Sequence, residues 1–132
     1  MTGAARGGDA HRREEIEVRI PADPAFRRLG RLAAADVATR AGFDLEKIDD
    51  LRIAVDELSA AVVGPEPTVS RTLVLRFTFS SDVVEVAGHC NGSTRPRLDD
   101  LSRAICAAVV DEYRLDVVDG ARWFRLSKRA AP

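Results

Sequence analysis

The sequence predicts an α+β fold, a two-layer sandwich in which a mixed or antiparallel sheet is covered on one face by three helices. Three observations carry this. Segments with apolar period 2 or period 3.6 alternate in the order strand, helix, helix, strand, strand, helix, strand, strand. Short turn signals, Ser80-Ser81-Asp82 and Asp119-Gly120, join two pairs of strands as hairpins. A chain of 132 residues with 45% apolar and 31% charged content has the size and composition of one globular domain.

Residues 1–14 begin with a Gly, Ala and Arg-rich stretch that has little to bury, and they read as a disordered tail before a single domain at 15–129. From Glu15 an alternation places Ile16, Val18 and Ile20 on one face of a half-buried strand that Pro21 ends. Asp23 followed by Pro24 opens a helix, because an Asx oxygen caps free amides and proline at the first position forfeits no hydrogen bond. That helix runs to about Arg40. Phe26, Leu29, Ala33 and Val37 form its expected core stripe, with Arg27, Arg28 and Arg31 grouped on the outward face.

Gly42 closes this helix and Asp44 opens the next, where Leu45, Ile48, Leu51, Val55, Leu58 and Val62 keep the helical period until Gly64-Pro65 stops it. Thr72 to Phe79 and Val83 to Ala87 are the strands of the first hairpin, and His89 to Pro96 reads as a loop. A third amphipathic helix from about Asp99 to Asp111 is expected to bury Leu101, Ile105, Ala108 and Val109. The last hairpin pairs Arg114 to Val118 with Arg122 to Leu126, so Trp123 and Phe124 face opposite ways and one of them packs in the core.

Composition excludes several function classes. The formal net charge of −1 supplies no basic field for nucleic acid or an anionic membrane. No apolar run is long enough to cross a bilayer, and the first fifteen residues hold no hydrophobic segment that serves as a secretion signal, so the expected location is the cytoplasm. Cys90 and Cys106 read as free thiols, without the clustered Cys and His of a metal site, and no metal ligand set is expected. No nucleophile elbow, phosphate loop or HExxH helix names a chemistry.

One segment does. Ile48 to Val62, IDDLRIAVDELSAAV, together with the element order from Ile16 to Lys128, resembles the Bergerat fold of the GHKL (histidine kinase-like) ATPases, in their anti-sigma-factor serine kinase branch. There a helix with a pattern similar to D-x-x-L-x-x-A-V-x-E-x-x-x-N-A lines the ATP site, and Leu51, Ala54, Val55 and Glu57 stand where that pattern has its Leu, Ala, Val and Glu, with Asp50 immediately before them. The resemblance implies that Glu57 is a general base, activated by partial burial on the flank of the helix. Ala61 stands where the family has the Asn whose oxygen helps hold magnesium. A second family box, Asp-x-Gly after the central hairpin, supplies the carboxylate that reads adenine. Here Gly88 and Cys90 lie near those positions, and only a slip onto Asn91-Gly92 offers an Asx-Gly pair. Ser93 to Leu98 are too few for the family's glycine-rich lid. The scaffold is therefore expected to persist around an eroded site in which Glu57, Ala61, Gly88, Asn91 and Gly92 are the degenerate nucleotide-binding positions and Mg-ATP binds weakly.

The resemblance implies partners: a sigma factor, an acidic-surfaced STAS-domain anti-anti-sigma factor and a second copy of the chain. Arg27, Arg28 and Arg31 are the candidate partner-binding residues, the alternative being an ordinary solvated helix face. Three functions from different classes follow: an anti-sigma factor that sequesters a sigma factor without catalysis, an ATP-dependent serine kinase acting on an antagonist, and a nucleotide sensor unrelated to sigma factors. The first fits the missing Asn, Asp and lid.

Overall fold

The computed structural model describes residues 12–131, so most of the expected tail lies outside the described residues. Five strands, β1 (Glu14–Pro21), β2 (Thr72–Phe79), β3 (Val83–Asn91), β4 (Glu112–Val118) and β5 (Ala121–Arg129), form one sheet in the order β1-β2-β3-β5-β4. Every neighbouring pair is antiparallel, which settles the choice between a mixed and an antiparallel sheet. Three α-helices, α1 (Arg27–Arg40), α2 (Leu45–Val63) and α3 (Asp100–Val109), accompany it. The apolar residues of the sheet share the core with the helices, and the largest buried side chains include Phe77, Phe124, Leu51, Leu58, Leu73 and Leu75. The other face carries alternating charges such as Glu15, Glu17, Arg76 and Glu85, as a sheet with one solvated face requires.

The expected helix starts form as anticipated. Asp23 caps the single 3-10 turn Pro24–Phe26 that leads into α1, and the carboxylates of Asp44 and Asp99 accept from the amides of Lys47 and Ser102 at 2.9 and 2.8 Å. The tight turn of the last hairpin puts Asp119 at φ 51° and Gly120 at φ 77°, the pair of left-handed residues a two-residue loop needs.

The packing faces of the helices differ from expectation. In α1 the buried residues are Gly30, Ala34, Val37 and Ala38, while Phe26 and Leu29 remain 42% and 46% exposed. The reason is distance: a methyl at Gly30 would already lie 3.1 Å from Leu75 Cδ1, so the small-residue stripe lets α1 approach the sheet closely and turns the larger side chains outward. Leu45, at the first turn of α2, is exposed as well. In α3 only Cys106 is fully buried, with Ser102, Ile105 and Val109 half-buried beside it, and Leu101 and Ala108 face solvent. This shorter helix contacts α2 and β4 along one narrow stripe.

The strands are longer than the propensity runs. Pro21 closes β1 as its last residue, opposite Thr72. β3 continues through His89, Cys90 and Asn91, which correct the expected loop, because β5 pairs with it along the whole length from Val83 to Asn91. A central strand with ladders on both sides satisfies its backbone polar groups whatever the turn propensity of Gly88 and Asn91. Phe124 is the core aromatic of β5, and Trp123 lies on the open face against His89, with ring centroids 4.2 Å apart.

Candidate functional site

Glu57 and Ala61 occupy successive turns of α2. Glu57 is half-buried, close enough to Cys106 of α3 that its charge, after burial, helps push that thiol up to about 11. Ala61 is buried and offers no oxygen to a metal ion. Asp50, in the first half of the helix, pairs with the buried Lys128 of β5 at 3.6 Å, and Lys128 Nζ also donates to the carbonyl of Val109 at 2.6 Å. This acid of the family-like helix is thus engaged in tying α2 and the end of α3 to the sheet.

Gly88 lies on the helix-facing side of β3, opposite Phe124 of β5. A methyl built there would collide with the Phe124 ring, 2.7 Å from Cζ, and stand 2.9 Å from Leu75 Cδ2. A side chain at Gly88, near which the resemblance places the family's adenine-reading carboxylate, would require the Phe124 ring to shift. Asn91 is exposed at the end of β3, and its carbonyl accepts from Arg71 Nη2 at 2.6 Å. Gly92 follows, with its amide donating to the carbonyl of Gly120 at 2.9 Å.

The residue that dominates this region is one the sequence reading passed over. Arg122, cross-strand partner of Cys90, has a side chain only 1% exposed and lies between the end of α2 and Gly92. Its Nε donates to the carbonyl of Val62 at 2.8 Å and its Nη2 to that of Val63 at 2.7 Å. Nη1 and Nη2 also grip the two carboxylate oxygens of Glu66 at 2.8 and 2.6 Å, and Nη1 reaches Thr94 Oγ1 at 2.7 Å. Arg71 adds a second guanidinium, donating to Val63 at 2.9 Å. Both cations sit at the carbonyl end of α2, where the helix dipole favours positive charge. Arg122 hydrogen bonding, reinforced by Glu66's own backbone and the charges of Arg122 and Arg71, lowers the Glu66 carboxyl to about 2. A sequence signal did exist: an arginine alternating with Phe124 and Leu126 on the inward side of a strand needs buried partners.

The arginines of α1 are not grouped outward. Arg27 Nε forms an ion pair with Asp56 Oδ1 of α2 at 3.2 Å without hydrogen-bond alignment, and Arg31 Nη1 donates to the same oxygen at 3.1 Å. Of the three, only Arg28 projects from the helix as an exposed side chain without such a tie. A concavity of about 690 Å³ lies across the opposite, solvated face of the sheet and includes Thr78, Glu85, Ala87, Arg114, Arg125 and Ser127. It lies across the sheet from Glu57 and from the helix-facing side of Gly88. Tested against Mg-ATP as the resemblance aligns it, the residues do not fit: Ala61 lacks a metal-holding oxygen, and Phe124 fills the space a side chain at Gly88 would need.

A helix carrying a half-buried Glu over an antiparallel sheet of this order is the arrangement of the Bergerat fold, and comparison with known proteins bears out the resemblance to its anti-sigma-factor serine kinase branch. The chain is 46% identical over 86 residues to the serine-protein kinase RsbW of Listeria monocytogenes, covering 61% of this chain and 53% of that protein. It is 33% identical over 76 residues to the RsbW of Halalkalibacterium halodurans, covering 58% and 47%. The chain spans about half the length of these curated relatives. Among solved structures it superposes on the RsbU and RsbW domains of Rv1364c from Mycobacterium tuberculosis with a TM-score of 0.67 at 18% identity, covering 90% of this chain and 33% of that one, a likeness of fold. No protein-family model matches.

Proposed function

We propose that the chain is an anti-sigma-factor-like regulator of bacterial transcription that binds and sequesters a sigma factor, with ATP binding weakened or lost. The closure of the Gly88 position by Phe124 is the observation that carries this reading, because it removes the carboxylate and the space that would recognise adenine while leaving the scaffold of the RsbW relatives in place. In this reading a STAS-domain anti-anti-sigma factor competes for the chain, which acts as a homodimer in the cytoplasm. Arg28 offers a free guanidinium to an acidic partner, and Arg27 and Arg31 contribute through the surface they build with Asp56.

A serine kinase is the second reading, favoured by the half-buried Glu57 at the general-base position and by the names of the relatives. Calorimetric titration with Mg-ATP, run beside Glu57→Ala, separates the two. No heat, with a sigma factor still captured by the purified chain, supports sequestration. Magnesium-dependent binding that Glu57→Ala abolishes revives the kinase reading, which a phosphorylated serine on a STAS-domain partner would then establish.

A further inference from the structure

Arg122 has five N–H donors, and each meets an acceptor: the carbonyls of Val62 and Val63, both oxygens of Glu66, and Thr94 Oγ1. These acceptors come from three separate stretches of chain, the end of α2, the connection 64–71 and the loop 92–99. The backbone is shaped around the guanidinium. A methyl at Gly92 would lie 2.7 Å from Nη1, and one at Gly64, itself at φ 72°, would lie 2.8 Å from Nη2. Arg71 repeats the connection from the other side, bonding Val63, Asn91 and, at 3.4 Å, Pro67. The cluster joins Val62 and Val63, which follow Ala61, to Gly92, and Arg122 pairs across the strands with Cys90, so it borders both stretches that the resemblance aligns with the nucleotide site.

We propose that the Glu66–Arg122 pair is a resident plug: a side-chain ligand that occupies the mouth of the Bergerat pocket and clamps the 64–71 and 92–94 segments together without any nucleotide. The loops flanking the site are then held in one arrangement permanently, so the surface they form is available to a partner regardless of nucleotide. The plug rests on the alignment of Ala61 and Gly88 with nucleotide positions. The clamp does not.

Hydrogen-deuterium exchange of the full chain, with and without Mg-ATP, tests both parts, using Glu66→Gln and Arg122→Lys as variants. In the native chain the amides of both segments are expected to be protected without nucleotide and unchanged by Mg-ATP. In each variant both segments exchange together, about tenfold faster or more, as the loss of a charge-assisted hydrogen-bond pair implies. Equal exchange in native chain and Glu66→Gln, or a response confined to one segment, overturns the clamp. If Arg122→Lys loosens the whole sheet, Glu66→Gln on the half-exposed partner decides. Slowing of native exchange by Mg-ATP in these segments overturns the plug; the clamp is still read from the variants without nucleotide. Protected loops in a chain that captures no sigma factor leave the plug standing and refute the proposed function alone.

Discussion

The ring of Phe124 fills the volume that any side chain at Gly88 would need, across the antiparallel pair of β3 and β5. The side-chain position at Gly88 is therefore packed rather than empty. Gly88→Ala is expected to cost about 1–3 kcal/mol, as overpacking of a filled core does. Gly88→Asp, which supplies the carboxylate that the resemblance places near this position, should destabilise further and confer no ATP binding. Chemical denaturation and calorimetric titration check the two statements. A Gly88→Asp protein with an unchanged midpoint would mean that Phe124 yields its place easily.

Glu66 should make acid stability unusual. Its carboxyl titrates at about 2 in the fold against an ordinary 4.5, so the native state holds its proton less tightly than the unfolded chain. The stabilisation from this group is complete above 4.5 and is lost as the pH falls from there through 2. Glu66→Gln removes that slope. Thermal melts between pH 5 and pH 2 should show a constant advantage for the native chain above pH 4.5 that narrows as the pH falls, the two converging at the acid end. Parallel curves would show that Glu66 titrates normally. Arg122→Met, which strips the donors from Val62 and Val63 and leaves their carbonyls buried, is expected to lose about 3 kcal/mol at neutral pH.

Much of the fold was legible because it rests on local signals: capping aspartates at 23, 44 and 99, the Asp119-Gly120 turn, and β-branched runs such as Thr72–Phe79. What escaped depends on partners distant in sequence. His89 to Asn91 have loop composition and become strand because β5 pairs beside them. Phe26 and Leu29 carry the right period, but Gly30 and Ala34 decide which side of α1 comes closest to the sheet. At the site, the resemblance sets Ala61 against the family's Asn and Gly88 near its Asp, an alignment legible in the sequence alone. The alternation of Arg122 with Phe124 and Leu126 signals a buried guanidinium, but its bonding partners, 28 to 60 residues away, could not be read.

Neither cysteine should react in the native protein. Burial raises both thiols, Cys106 to about 11 with Glu57 adding to the effect, and both residues are fully enclosed. At neutral pH the thiolate fraction is small and access is closed. Alkylation followed by mass spectrometry should show no adduct in buffer and two in denaturant. Rapid labelling of Cys106 alone would show that α3 detaches from α2 on its own, exposing the region around Glu57.

Asp56 divides the three arginines of α1 into two roles. Arg27 and Arg31 converge on its Oδ1, so either one changed to Glu places like charges together between α1 and α2, whereas Arg28 has no such partner. These groups are about a quarter to two-fifths exposed, and each pair is worth about 0.5–1 kcal/mol after solvent screening. Arg27→Glu and Arg31→Glu should therefore lower the denaturation midpoint modestly, and Arg28→Glu should leave it unchanged. If the face binds an acidic partner, Arg28→Glu weakens capture of that partner with no loss of stability, and higher salt weakens the native interaction in the same direction. Unaltered affinity for Arg28→Glu, alongside the expected midpoint shifts for its neighbours, would make this face a structural seam between two helices and move the search for the partner surface elsewhere.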